Sequence, residues 1–316
     1  MKKKLYKAVV LEQVHPSLFE IFQEKNIEVK DLSNAENAEL LRELEDADIL
    51  IVRSKKIDKT IIDNTKQLKI IGRAGSGLEN IDIKYAESKG IKCINSPEGN
   101  RDAVGEHAIG MLLMLLNKLK KADNEVRQGI WDRKSNWGIE LKYLQVGIIG
   151  YGNMGSAFAK KLSGFECPIL VYDKYKKDIQ DTFVNVVDIN DIFENADVVS
   201  LHLPLNEETF YYADEKFFER FKKSIYFINT SRGKILKSSA LVKGLKSGKI
   251  KGACLDVLEY EGINFEEMNG TQAEEFEYLR NCENVILTPH IAGWTYQSYE
   301  KICKILAEKI LKELGQ

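Results

Sequence analysis

Residues 145–173 read QVGIIGYGNMGSAFAKKLSGFECPILVYD, and this stretch decides the fold. An apolar run from Val146 to Ile149 enters Gly150-Tyr151-Gly152-Asn153-Met154-Gly155. An amphipathic segment follows, and a second apolar run from Ile169 to Tyr172 ends in Asp173. Strand, glycine turn, helix, strand and acid is the layout that a dinucleotide requires. Gly150 permits the tight turn, Gly152 lets the backbone approach a pyrophosphate, and Gly155 lets the helix close on its strand. A helix beginning at Asn153 and Met154 aims unpaired N–H groups and the positive end of its dipole at the phosphates. Asp173 falls 18 residues after Gly155. A carboxylate there accepts hydrogen bonds from both adenosine ribose hydroxyls and repels a 2′-phosphate, which selects NAD over NADP.

Nearly half the chain precedes this motif. Residues 7–12, 26–32, 48–54, 68–75 and 91–97 read as strands, with amphipathic stretches between them. Such alternation implies a parallel sheet covered on both faces. The expected fold is therefore α/β, with two doubly wound parallel-sheet domains. Residues 102–121 read as one long helix, oily on most of its circumference from Ala108 to Leu116. A helix of that kind must be buried, and the expectation is a domain junction together with a subunit interface, hence a homodimer through the 102–121 region. His107 on this helix reads as a packed histidine. Beyond the motif, strands are expected at 197–204, 224–231, 252–259 and 284–290. The segment from Thr295 to Leu314 carries apolar residues at helical spacing. With no strand left to pair, it is expected to return to the first domain. The expected domains are thus 1–98 with 292–316, discontinuous and substrate-binding, and 99–291, binding the cofactor.

Composition narrows the function. Lysine and arginine number 46 against 48 acidic residues, a net charge of −2, which argues against a nucleic-acid binder. Five scattered cysteines without C-x-x-C spacing point to reduced thiols in the cytoplasm and to no metal site. The longest oily run, Ile109 to Leu116, is far shorter than a membrane span.

Ligands bind at the carboxyl ends of strands in such sheets. Arg232 follows the strand at 224–228, Asp256, Glu259 and Glu261 follow the one at 252–255, and His290 follows 284–287. An arginine, a carboxylate and a histidine beside a nicotinamide are what oxidation of a 2-hydroxy acid needs. The arginine holds the substrate's carboxylate and carbonyl oxygen, the histidine takes the hydroxyl proton, and the acid orients the histidine and stabilises its charged form.

With these stretches in order, RAGSGLENID (73–82), GIIGYGNMG (147–155), LHLPL with Thr209, INTSRG (228–233), LDV with Glu261 and TPHIAG (288–293), the whole chain resembles the D-isomer-specific 2-hydroxy acid dehydrogenase family. The resemblance implies a Rossmann-type NAD domain inserted in a flavodoxin-like substrate domain. It makes Arg232 the substrate-binding arginine, Glu261 the orienting acid and His290 the general acid/base. Glu259 competes for the acid's role, and Gly262 stands where the family often has proline. The resemblance also places NAD against His202, Pro204, Thr209, Thr230, Asp256 and Gly293, with Asp256 at the nicotinamide end. The amides of Gly75, Ser76 and Gly77 are implied to hold the substrate carboxylate, with Asn80 bracing that turn. Arg53 and Arg73 resemble the cationic residues that hold the phosphate in phosphoglycerate dehydrogenases. The chain then reads as the short type, without an added regulatory domain, feeding serine synthesis from 3-phospho-D-glycerate. The rival readings are a glyoxylate or hydroxypyruvate reductase and, from another class, a corepressor-like protein that senses NAD while binding peptides.

Overall fold

The structure, a computed structural model, describes residues 5–35, 42–262 and 273–316. The chain divides into two compact units. The first comprises Met1–Asn100 and Trp294–Gln316, the second Arg101–Gly262 and the described residues up to Gly293.

In the first unit, β1 (Lys7–Val10), β2 (Glu28–Asp31), β3 (Ile49–Val52), β4 (Ile70–Arg73) and β5 (Lys92–Asn95) form one parallel sheet in the order β2-β1-β3-β4-β5. This is the flavodoxin-like order. Successive residues of each strand face opposite sides. Val10 and Ile51 therefore join Leu18, Phe22, Leu306 and Ile310 on one face. Val9, Leu50 and Ile71 pack with Leu44 and Ile62 on the other. The final helix, Tyr296–Glu313, starts at a reciprocal cap in which the Ser298 amide donates to Thr295 Oγ1 at 3.0 Å and the Thr295 amide to Ser298 Oγ at 2.9 Å. It seats on β4 because Gly72 has no side chain; a Cβ there would lie 2.8 Å from Ile310.

In the second unit, β6 (Val146–Ile149), β7 (Ile169–Tyr172), β8 (Asn185–Val186), β9 (Val198–Leu201), β10 (Ile225–Asn229), β11 (Ile250–Leu255) and β12 (Val285–Leu287) are all parallel, in the order β12-β11-β10-β9-β6-β7-β8. The order reverses beside β6, so the glycine turn after β6 opens at the sheet's switch point, where doubly wound folds bind ligands.

The expected helix over 102–121 is two helices, Arg101–Leu116 and Leu119–Arg127, separated at Lys118, whose φ of 53° is left-handed. The first packs within its own unit. Gly105 lies against the Ala157 backbone of the helix Asn153–Leu162, and Leu115 against Gly252 of β11. Among the described residues no helix is long and apolar enough to cross a membrane.

Candidate active site

The glycine turn forms a cradle. Gly150 adopts φ +94°, and a Cβ on it would strike the His202 carbonyl, while one on Gly155 would strike the Gly150 carbonyl. A Cβ on Gly152 would meet nothing within 4 Å, so the turn presents bare backbone to open space. The helix Asn153–Leu162 starts there with no side chain capping its first amides, which suits a diphosphate. Two buried polar atoms nearby in the sequence pattern, His202 Nδ1 and Thr230 Oγ1, have no partner among the described residues. These features fit a dinucleotide.

Asp173, at the end of β7, accepts the Tyr151 amide on Oδ2 at 2.7 Å and the Tyr175 and Lys176 amides on Oδ1 at 2.9 and 2.8 Å. Burial raises its carboxyl, but the Lys176, Tyr151 and Tyr175 amides outweigh burial and hold it below the ordinary value. A carboxylate has about four acceptor positions, so one is left for a ribose hydroxyl. His202 is buried; its Nε2 pairs with Ser200 Oγ at 2.9 Å, and burial depresses its pKa to about 4. Thr209 is a clasp of its own loop, donating from Oγ1 to the Pro204 carbonyl and accepting the Asn206 amide.

Arg232, Glu261 and His290 follow β10, β11 and β12, three neighbours in the sheet. Asn229, wholly buried, shapes the first loop by accepting the Ser231 amide and donating to the Arg232 carbonyl. Arg232 is half-buried, with Nη1 on the Ser231 carbonyl at 2.6 Å. Glu261 Oε2 lies 2.8 Å from His290 Nδ1, and its Oε1 takes the Leu258 amide. Glu259 is committed elsewhere, to the Tyr211 hydroxyl and the Ser238 amide. Geometry pairs Glu261, the residue that the family spacing from Asp256 favours over Glu259, with His290.

His290 sits at φ +54°, a left-handed backbone that stores strain in a residue with a Cβ, roughly 1–3 kcal/mol. Asp256 enforces it. Its carbonyl accepts the His290 amide at 2.7 Å, and its carboxylate accepts the Ile291 and Ala292 amides, both at 2.9 Å. Asp256 is 1 % exposed. The expected nicotinamide contact is therefore joined by a second task, folding the turn that carries His290 and leads to Gly293.

The first unit holds the remaining candidates. Glu12 accepts the Arg53, Ser54 and Lys55 amides and the Ser54 hydroxyl. Burial raises its carboxyl, but the Ser54 hydroxyl and these amides together lower it. The loop so held directs Arg53 over Trp294 at 4.4 Å and Tyr299 at 5.6 Å, and among the described residues no carboxylate pairs with Arg53. Arg73 behaves differently. It is 9 % exposed, with Nε on the Arg53 carbonyl at 2.8 Å and Nη1 on the Gly77 carbonyl at 3.1 Å. It frames the loop through these carbonyls, whereas Arg53 lies against the two aromatic rings. The Gly75 amide is used by the Arg73 carbonyl at 2.9 Å. The Ser76 and Gly77 amides have no acceptor among the described residues, so two of the three expected donors remain. Asn80 braces residues 55–57 instead of the 75–77 turn: its Nδ2 donates to the Lys55 carbonyl and its own carbonyl accepts the Ile57 amide, each at 2.7 Å.

Sequence reasoning missed Glu12, whose partners lie 41 or more residues away, and the second task of Asp256. A carboxylate at the end of β1 opposite a loop at the end of β3 was the available signal, since these strands are sheet neighbours.

Residues 109–292 match the family model described as D-isomer specific 2-hydroxyacid dehydrogenase, NAD binding domain. The chain is similar to a D-3-phosphoglycerate dehydrogenase from Archaeoglobus fulgidus, 34 % identical over 96 % of this chain and 56 % of the relative, so it spans little more than half of that protein. It is similar to a hydroxypyruvate reductase from Thermotoga maritima, 36 % identical over 89 % of each chain. Among solved structures it resembles D-lactate dehydrogenase from Aquifex aeolicus, complexed with NAD and lactic acid, with a TM-score of 0.80 and 26 % identity over 98 % of this chain and 95 % of the other.

Proposed function

Because the chain belongs to the D-isomer specific 2-hydroxyacid dehydrogenases, we propose that it interconverts a D-2-hydroxy acid and its 2-keto acid with NAD. The observation that carries this reading is the 2.8 Å pair of Glu261 and His290 at the end of two neighbouring strands. The carboxylate fixes Nδ1–H, which leaves Nε2 as the nitrogen that exchanges the substrate proton. In oxidation a neutral His290 takes the C2 hydroxyl proton; in reduction the imidazolium returns it, and Glu261 stabilises that cation. Arg232 holds the substrate's carboxylate and carbonyl oxygen as a planar fork. When bound, the nicotinamide would supply the hydride acceptor for C2 in oxidation and the hydride donor in reduction. Gly152, the first amides of the helix Asn153–Leu162 and Asp173 hold the dinucleotide.

For the substrate, we favour 3-phospho-D-glycerate, oxidised to 3-phosphohydroxypyruvate in serine synthesis. Arg53, held by Glu12 and stacked on two aromatic rings without a carboxylate partner, is the cation for the phosphate. The similarity to a hydroxypyruvate reductase across 89 % of both chains supports a second reading, reduction of unphosphorylated keto acids by the same trio. NADH oxidation with 3-phosphohydroxypyruvate, hydroxypyruvate and glyoxylate compared side by side separates the two. A kcat/KM about a hundredfold higher for the phosphorylated acid, near 2.7 kcal/mol, is the expected result. Equal rates would assign the second reading.

The five cysteines are free, which supports a reducing compartment, the cytoplasm. We also propose a homodimer, with its contact moved from the buried helix Arg101–Leu116 to the segment after it. There Leu119, Val126, Ile130, Trp131, Trp137 and Tyr143 are exposed, the two tryptophans by 79 % and 76 %, an apolar concentration that a monomer rarely leaves open.

A further inference from the structure

His107 belongs to the helix Arg101–Leu116 and has no place in the chemistry above. Its Nε2 lies 3.0 Å from Thr288 Oγ1 and 3.5 Å from Asp256 Oδ1. Thr288 Oγ1 in turn is 2.6 Å from Asp256 Oδ1 and 3.7 Å from Met111 Sδ. A hydroxyl has one proton to give. The carboxyl oxygen, closer and a far stronger acceptor than sulfur, takes it in preference to the thioether. Thr288 must then accept from the histidine, which fixes the proton on His107 Nε2. The chain of donors runs in one direction, from His107 to Thr288 to Asp256.

The end of that chain is the catalytic turn. Asp256 holds the amides of Ile291 and Ala292 through its carboxylate and that of His290 through its carbonyl. His290 stays in its left-handed conformation only while those bonds over-determine it. A buried carboxylate is also costly unless its oxygens are fully hydrogen-bonded. We infer that His107 is a positioning residue: by donating to Thr288 it fixes the hydroxyl that anchors Asp256, and so holds the backbone from which His290 reaches the substrate. The inference rests on the reading of His290 as the acid/base.

Three variants test it. His107→Phe keeps an aromatic ring and removes the donor, while His107→Gln sets a donor near the position of Nε2. With the keto acid that the enzyme reduces best, His107→Phe is expected to lose about tenfold in kcat, with NADH affinity unchanged. His107→Gln is expected to recover most of that loss. Thr288→Val should reproduce the loss, and adding His107→Phe to it should cost little more, because both break one chain. NADH binding and thermal melting of each variant establish that it is folded. Wild-type turnover in His107→Phe overturns the inference, and so does an equal loss in the Phe and Gln variants, which would make ring shape the cause. Nitrogen NMR of histidine-labelled enzyme gives an answer independent of turnover. A protonated Nε2 on His107 is expected, and an unprotonated one contradicts the inference. If the wild type reduces no 2-keto acid at all, the functional reading fails on its own, and the NMR result still decides the direction of the hydrogen bonds.

Discussion

Glu261 Oε2 is 2.8 Å from His290 Nδ1, while Glu259, two residues earlier, holds Tyr211 and the Ser238 amide. The two carboxylates therefore answer differently to the same substitution. Glu261→Gln should lower turnover by about 10²-fold, and more in reduction than in oxidation, because reduction starts from the imidazolium that the carboxylate stabilises. Glu259→Gln should leave the chemistry within a few-fold and cost about 1–3 kcal/mol of stability. Steady-state rates in both directions, with urea unfolding of each variant, check the pair.

His202 makes stability depend on pH. Its folded pKa, about 4, lies below the unfolded value near 6.5 because burial disfavours the charged ring. The unfolded chain binds the extra proton between those values, so this contribution is complete above about pH 6.5 and is lost as pH falls toward 4. Over that window it amounts to something on the order of 3 kcal/mol. Urea midpoints from pH 4 to 7.5 should fall more steeply toward acid for the wild type than for His202→Gln. Parallel curves would remove His202 from the acid response.

Arg53 should discriminate between substrates. Losing a charge-assisted contact to phosphate costs roughly 1.5–3 kcal/mol, so Arg53→Ala should depress kcat/KM for 3-phosphohydroxypyruvate by about ten- to a hundredfold. Glyoxylate should be affected far less, and the ratio of the two substrates is the quantity to measure.

The exposed tryptophans report on assembly. Placing charge at both, as in Trp131→Glu with Trp137→Glu, should convert a dimer to monomer in sedimentation equilibrium. If the wild type sediments as a monomer at micromolar concentration, another occupant covers this segment.

Both sheets were legible because their strands are short β-branched and aliphatic runs, such as Ile49–Val52, that only a sheet buried on two faces accommodates. The glycine turn was legible because Gly150, Gly152 and Gly155 each answer a separate steric demand. The burial of the helix Arg101–Leu116 was legible, since a helix that is apolar all round must be covered, but its sequence does not say by what. Its end at Lys118 depends on a left-handed residue that propensity does not mark. Arg53 and Arg73 look equivalent at two strand ends, and only folding buries one and presents the other. The spacing from Asp256 favoured Glu261 over Glu259, but the partners that hold Glu259, Tyr211 and the Ser238 amide, lie too far along the chain to be read from it. The contact of His107 with Thr288 spans 181 residues and has no local signature.

The most direct measurement is NADH oxidation by the wild type and His290→Gln with the preferred keto acid, with NADH binding followed by fluorescence in the same samples. The account predicts a loss of about 10²–10⁴ in turnover with NADH affinity nearly unchanged. Full turnover in the variant would contradict it, because no proton-transfer role would then be left for His290.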